Sequence, residues 1–313
     1  MSHATFDSTA LVPRAPAKGS SLHRHFGDAR AGLYGPHALL LQVMHPVIDA
    51  GVLQHSQFKT EPFKRFYTTM KSMATLVYGG AEGSAAECRR LRNLHKTIRG
   101  IDKDGQRYHS LDPEAWTWVY ATLVKGSIDA QQRYGFPFES DVLDEYYREA
   151  RELGMLLGVR PQDLPEDWSG FEKYCATMIE TKLVATESAR DVLAFLGNLP
   201  RPFFVPKVLW RAATWPIAWF IRFITVATLP TNVRTKLELT WTDGQEDLYL
   251  WMVAAGKIVS FFTPQFFFTF GTRVAGFVYG RMLLRQERRQ MAAGGGASDA
   301  AVDRPRLPGP PEA

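Results

Sequence analysis

The chain has 313 residues, of which 45% are hydrophobic and 22% charged, and its formal net charge is +5 at pH 7. This composition is typical of a globular protein able to bury a sizeable core, so disorder of the whole chain is excluded. Two cysteines, Cys88 and Cys175, are too few for a disulfide framework or a zinc cluster. The basic charge comes with no nucleic-acid-reading motif, and we expect no nucleic-acid partner.

The two ends of the chain differ in composition from the middle. Residues 1–20 are polar and contain Pro, Gly and Ser, whereas residues 291–313 are rich in Gly and Pro. Both segments are predicted to be disordered, and residues 21–290 to form one domain. The N-terminus lacks the apolar core of a secretory signal, so we expect a cytoplasmic protein with reduced cysteines.

Helical periodicity dominates the middle of the chain, and no alternating strand pattern persists. Proline, glycine and capping signals bound the helices. The predicted helices cover residues 35–43, 62–79, 83–100, 112–135, 140–158 and 168–178. The sequence therefore predicts an all-α fold.

The C-terminal part is aromatic and apolar but interrupted. Residues 203–229 contain prolines and basic residues, and residues 258–272 contain Pro264. Neither stretch reaches the roughly 18 uninterrupted apolar residues that a spanning helix needs, so both are interpreted as buried or interfacial helices. The Arg-rich segment 281–289 is either a solvated helix end or a contact with anionic lipid.

All eight histidines lie at or before position 109, so histidine chemistry must come from the first third of the chain. His95 lies in an apolar stripe, with Arg92 and Arg99 three residues before and four after it on one side of the predicted helix. This pattern suits a haem, because the imidazole can bind iron and an arginine can pair with a propionate. An ordinary core histidine is the alternative.

A second pair of residues precedes this helix. Arg65 and Thr69 are four residues apart and share a helix face, where they are candidates for a propionate partner and a ligand-facing hydroxyl. A solvated arginine and a threonine bonded to its own helix are the alternative. Motifs for di-iron bundles, zinc proteases, phosphate loops and serine hydrolases are absent from the sequence.

An ordered series of short segments resembles one oxygenase family of bacteria and fungi. The series opens at Leu39-Leu40-Leu41-Gln42-Val43-Met44-His45-Pro46 and continues through Arg65, Thr69, Arg92, His95, Arg99 and Gly100. It ends with segments 118–124, 146–148 and 156–159, then Leu229-Pro230 and Arg234. The series covers residues 25–245 and is similar to the family of latex clearing protein and the fungal mycophenolic-acid pathway oxygenase.

The resemblance implies a single globin-like helical domain around a b-type haem. It implies His95 as the iron ligand, with Arg65, Thr69 and Thr122 lining the haem pocket. Arg92 and Arg99 are then the further cofactor-binding candidates. The implied activity is a haem-dependent oxygenase that uses dioxygen on an unsaturated apolar substrate.

Two departures bear on the substrate. Thr68 stands where the rubber-cleaving members have a lysine, and an export signal is missing. Both argue against polyisoprene and favour an intracellular isoprenoid or lipid, whose pocket we expect in the aromatic C-terminal half. The alternative is a non-enzymatic haem-binding sensor or carrier, docked peripherally on a membrane through Trp215, Trp219 and the basic end near Arg285.

Overall fold

The computed structural model describes residues 11–55, 62–199, 201 and 205–295, with the backbone alone for 62–66 and 290–295. This part contains thirteen α-helices, two 3-10 helices and one hairpin. The first eight helices are α1 (Ser21–His25), α2 (Gly35–Val43), α3 (Pro46–His55), α4 (Pro62–Tyr78), α5 (Gly80–Lys96), α6 (Pro113–Tyr134), α7 (Ser140–Leu157) and α8 (Trp168–Thr181). The rest are α9 (Glu187–Gly197), α10 (Lys207–Thr228), α11 (Thr231–Lys236), α12 (Asp243–Phe262) and α13 (Gln265–Gly295).

The minor elements lie between these helices. The 3-10 helices are Ala29–Tyr34 and Pro161–Asp163, and the hairpin pairs β1 (Arg99–Ile101) with β2 (Arg107–His109) in antiparallel register. The all-helical fold class is thereby confirmed, and the globin-like arrangement remains a prediction. The last turns of α13 cross the predicted domain boundary at residue 290.

Local capping explains why several predicted helix bounds are close to the observed ones. The Asp112 side chain accepts a hydrogen bond from the Ala115 amide at 3.0 Å, and proline follows at the first position of α6. Helix α7 ends at Gly158, whose φ of 103° is a left-handed conformation suited to glycine. These signals lie within a few residues of each helix end, so the sequence alone reveals them.

The predicted bounds of α5 are wrong at both ends. Only Gly79 separates α4 from α5, which begins at Gly80, where φ is 71°, instead of at residue 83. The helix ends at Lys96 instead of residue 100, because residues 99–101 pair with 107–109 in the hairpin. Strand pairing of this kind depends on a second segment, here residues 107–109. The residues around Lys96 therefore carry no helix-stop signal.

Helix α6 lies at the centre of the largest apolar core. Its Trp118, Ala121 and Ile128 side chains are buried among residues of α2, α4, α7, α8 and α9. The Trp118 indole donates to the Leu41 carbonyl at 2.9 Å, so the bulky ring is buried with its polar atom satisfied. One face of α6 thus anchors the neighbouring helices, including those that carry the candidate site.

The start of the described chain also contacts this core. Part of the predicted disordered segment 1–20 is described, and within it Arg14 forms an ion pair with Glu152 of α7 at 2.8 Å. Residues 1–10 and 296–313, which belong to the two predicted tails, lie outside the described residues.

In the described part, a single helix long and apolar enough to cross a membrane is not found. Helices α12 and α13, taken from Asp243 through Arg289, pass the length and composition test only as a pair bent by 85°.

Candidate functional site

His95 lies in the last turn of α5, and its ring is held by its own helix. The Nδ1 atom is 2.8 Å from the Leu91 carbonyl oxygen. Because a carbonyl only accepts hydrogen bonds, this contact requires the hydrogen on Nδ1. Metal-binding histidines commonly donate their second ring N–H to a carbonyl in this way. The tautomer at His95 is therefore the one that an iron ligand requires.

Neighbouring elements fix the position of this turn. The Trp116 ring of α6 meets the His95 ring edge to face, with centroids 4.9 Å apart and an interplanar angle of 73°. The Ser110 hydroxyl, just after the hairpin, donates to the His95 carbonyl at 2.7 Å. The imidazole is half-buried and is thus held from two sides.

The two arginines predicted to flank His95 lie in different settings. Arg92 is half-buried on α5 and packs over Gly158 at the end of α7, where a glycine Cβ would lie 3.2 Å from Arg92 Cδ. Arg99 is exposed in β1, opposite His109. The prediction that Arg99 shares a helix face with His95 is wrong, because α5 ends at Lys96.

Helices α4 and α5 form an antiparallel pair. The Ser72 hydroxyl donates to the buried Glu87 carboxylate, and Ser84 donates to the Leu76 carbonyl at 2.8 Å. Continuing this register places backbone position 65 level with 94–95. The α4 helix thus brings the predicted Arg65 position alongside that of His95, although the Arg65 side chain lies outside the described residues.

Thr69 is in the same part of α4. It is one turn after residue 65 on the helix, and the register of the helix pair places it level with residues 90–91. Its side chain is exposed. The sequence prediction that residues 65 and 69 share one helix face is confirmed by the unbroken helix Pro62–Tyr78.

Thr122 lies deeper on α6, beside a cavity of about 370 Å³. Its hydroxyl donates to the Val119 carbonyl and accepts from the Gln42 amide, both at 2.8 Å. Trp116, which contacts the His95 ring, is six residues earlier, about 9 Å along the helix axis. Thr122 is therefore part of the cavity wall, one helix segment away from the His95 turn.

The cavity is more polar than the sequence suggests. Among the described residues that line it, Trp118 and Leu41 lie beside charged side chains, namely Lys125, Asp129, Arg133, Arg234 and Glu246. Among the described lining residues, the aromatic C-terminal part contributes Ala227 to Thr231, Arg234 and Glu246, and no phenylalanine. The expected aromatic pocket is thus not this cavity, because many C-terminal aromatic rings point outward.

A cluster that the sequence analysis missed lies at the start of α6. The buried His45 Nε2 is 3.3 Å from the Glu114 carboxylate, which also pairs with Lys182 at 2.8 Å. Burial lowers the pKa of His45, against the raising effect of Glu114. Burial alone would raise the pKa of Glu114, yet hydrogen bonds from Lys182 and His45 bring it below its ordinary value. The cluster can take up or release a proton at the start of α6, where Glu114 is two positions along the chain from Trp116.

Two other possible ligands in the first third of the chain are Cys88 and His37, and both are buried. Burial raises the pKa of the Cys88 thiol to about 12, so it stays protonated and is a poor iron ligand. The His37 Nδ1 is 3.1 Å from the Thr228 hydroxyl, and burial lowers the His37 pKa to about 3, so the ring is neutral. In the described part, no three side chains of His, Cys, Asp or Glu converge as metal ligands. Because a porphyrin supplies four nitrogen ligands and needs one histidine, the residues present fit a haem.

The chain belongs to the family described as ER-bound oxygenase mpaB/B'/Rubber oxygenase, catalytic domain, whose model matches residues 23–258. The resemblance inferred from the sequence is confirmed. Membership in this family makes the chain an oxidoreductase of the oxygenase type, which acts with dioxygen on a small molecule.

Two curated relatives extend the comparison. An uncharacterised protein of Mycobacterium bovis and one of Mycobacterium tuberculosis are each 24% identical over 230 residues, covering 72% of this chain and 87% of the relative. No solved structure matches the chain significantly.

Proposed function

We propose that this protein is a haem b-dependent oxygenase that attacks a carbon–carbon double bond of an apolar substrate, an isoprenoid or another lipid. The observation that carries the proposal is the 2.8 Å contact between His95 Nδ1 and the Leu91 carbonyl. It places the hydrogen on Nδ1, the arrangement in which a neutral histidine ligates a haem iron through Nε2. Family membership supplies the oxygenase class.

Several side chains around His95 have roles in this proposal. Arg92 and Arg65 are the propionate partners, and Arg99 approaches from the hairpin directly beyond the His95 turn. Thr122 lies in the cavity wall, and Thr69 on α4 is the second ligand-facing hydroxyl. When bound, the haem supplies an iron that binds and activates dioxygen.

The rest of the chain positions the reactants and handles protons. Trp116 packs against the His95 ring and keeps its plane fixed, since their centroids are 4.9 Å apart. The ionised Glu114 carboxylate, joined to His45 and Lys182, is positioned to accept a proton two residues along the chain from Trp116. The cavity beside Thr122 admits a substrate with a polar end, because its wall carries charged side chains.

The test is oxygen uptake by the haem-loaded protein with farnesol, an unsaturated isoprenoid with a polar end, and with hexahydrofarnesol as the saturated control. The proposal predicts uptake and carbonyl products with farnesol alone, and loss of both in His95→Ala. Uptake that persists in His95→Ala would refute it. Haem binding without uptake across a panel of unsaturated isoprenoids and fatty acids would favour the sensor or carrier.

A further inference from the structure

Helices α12 and α13 meet at a sharp corner formed by residues 261–267, where the two axes bend by 85°. Pro264 lies in the short break between the helices. It cannot continue the hydrogen-bonding pattern of α12, so the chain turns there. The end of α12 and the start of α13 therefore lie together at one place on the surface.

A buried polar network clamps the inner side of this corner. The Arg30 guanidinium donates to Ser260 at 2.8 Å and to Gln265 at 2.7 Å, and also pairs with Asp28. Ser260 in turn donates to the Tyr134 carbonyl at 2.7 Å. Because residues on both sides of the turn are bonded to one buried arginine, the direction in which the corner points is fixed by the fold.

The outer side of the corner consists of phenylalanine. Phe261, Phe262 and Phe267 are 70%, 77% and 68% exposed, and Phe266 is 54% exposed. Phe268 differs, since its ring packs 4.1 Å from the Arg30 guanidinium. The apolar rings thus face solvent while the neighbouring polar groups face inward, the reverse of an ordinary surface helix.

The outward apolar surface continues along both helices. On α12 the exposed side chains recur at three and four residues, which makes one stripe that includes Trp251 and Ile258. On α13 a matching stripe includes Phe270 and Phe277. Contiguous exposed apolar surface of this kind marks a contact with an apolar phase or partner.

The charges around this surface indicate what covers it. Residues 258–272 contain no Asp, Glu, Lys or Arg, and the exposed Lys257 directly precedes them. The acidic residues of α12 lie at its opposite end, with Asp247 about 21 Å from Phe261 along the axis. Over residues 199–295 there are twelve Lys or Arg and five Asp or Glu. An apolar apex flanked by cations is complementary to an anionic lipid surface.

A second copy of the chain is a poorer fit. A two-fold contact centred on the corner would bring the two exposed Lys257 side chains towards each other, and like charges facing each other oppose association. A fluid lipid phase accommodates a projecting set of rings without a matching concave surface.

We propose that the 261–267 corner inserts its phenylalanine rings into the interfacial region of an anionic bilayer. The exposed Lys257, four residues before Phe261 on α12, then lies close to the headgroups. The protein binds one leaflet in this way. The inference is independent of the haem, and it places the oxygenase where apolar lipids are concentrated.

The test is flotation of the full chain with vesicles of phosphatidylcholine, and with an equal mixture of phosphatidylcholine and phosphatidylglycerol. Wild-type protein is expected to float with the mixed vesicles. The Phe261→Ser/Phe262→Ser/Phe267→Ser variant should bind roughly a hundredfold more weakly, since three apolar rings no longer leave water. The control Ile101→Ser/Val184→Ser removes two side chains that are also exposed, and it should bind like wild type.

A second variant tests the charges while it leaves the corner intact. Lys257→Glu should weaken binding to the mixed vesicles and retain native circular dichroism. The proposal is overturned if wild type does not float, if the serine variant floats equally well, or if neutral and anionic vesicles bind equally. It is also overturned if lipid-free protein is a dimer that the serine variant converts to a monomer.

Discussion

Gly280 of α13 lies against Gly79, the residue between α4 and α5, so closely that a Cβ atom on Gly280 would be 2.9 Å from the Gly79 Cα. One turn earlier, a Cβ atom on Gly276 would collide with the Ala74 carbonyl. Helix α13 therefore crosses the α4–α5 junction backbone to backbone. This contact fixes the junction of the two helices whose other ends carry Arg65 and His95.

Gly276→Ala is expected to destabilise the protein by about 1–3 kcal/mol, because the added methyl group forces α13 away from α4. Gly256→Ala is the matched control, since a Cβ there meets nothing within 4 Å. That change should be neutral or stabilise the fold by about 0.5–1 kcal/mol through a less flexible unfolded chain. Urea unfolding measures both, and equal midpoints would contradict the close packing.

The buried pair of Arg30 and Asp28 yields a second prediction. Arg30→Met leaves the Asp28 carboxylate buried without its cation and removes the bonds to Ser260 and Gln265. We expect a loss of about 3–5 kcal/mol in the free energy of unfolding. Arg288→Ala, at an exposed pair with Glu82, should leave the unfolding midpoint almost unchanged. If Arg30→Met lowers the free energy of unfolding no more than Arg288→Ala does, the Arg30 network does not hold the corner in place.

The stability of the protein should depend on pH through His37. Burial lowers its folded-state pKa to about 3, from an ordinary value of 6.5. Below pH 6.5 the unfolded chain binds a proton that the native state refuses, so stability falls as the pH drops from 6.5 towards 3. The contribution of this one group is about 1.4 kcal/mol per pH unit.

His37→Asn removes that contribution and keeps a donor for the Thr228 hydroxyl. The dependence of the unfolding free energy on pH between 6 and 4.5 should become shallower by about one bound proton. Other buried histidines, such as His45, retain theirs. The test is urea titration at about pH 4.5, 5.25 and 6, which lie below the ordinary histidine pKa. An unchanged slope would show that His37 takes up its proton in the native state.

The cluster at the start of α6 is open to a kinetic test. Glu114→Gln removes the negative charge that raises the pKa of His45, so that pKa should fall further, as histidine NMR signals would show. If the cluster handles a proton during oxygenation, kcat falls on the order of a hundredfold while haem absorbance is unchanged. Glu172→Gln, an exposed change on α8, is the control. Wild-type kcat in Glu114→Gln would remove the cluster from the mechanism.

Much of the fold is predictable from sequence because its signals are local. The cap at Asp112 and the left-handed Gly158 lie at the ends of the helices that they bound. The end of α5 at Lys96 depends on pairing with residues 107–109, and no local residue signals it. The candidate site is partly predictable for the same reason, because the helical periodicity that singles out His95 is a local pattern.

Other parts of the site depend on tertiary structure. The cluster of His45, Glu114 and Lys182 joins three distant segments. The direction of the exposed corner was equally hidden, because an apolar stripe has the same spacing whether it faces the core or the surface. Only the packing of Ser260 and Gln265 against Arg30 determines which way Phe262 points.

The central claim, that His95 is the haem ligand, is tested most directly by His95→Gly with added imidazole. The haem-loaded wild type should show a strong Soret band. The variant should lose or shift this band, and free imidazole should restore it by occupying the space that the side chain leaves. His109→Gly, in the neighbouring hairpin, should keep the wild-type spectrum. A His95→Gly protein with the wild-type Soret band, unaffected by imidazole, would contradict the account.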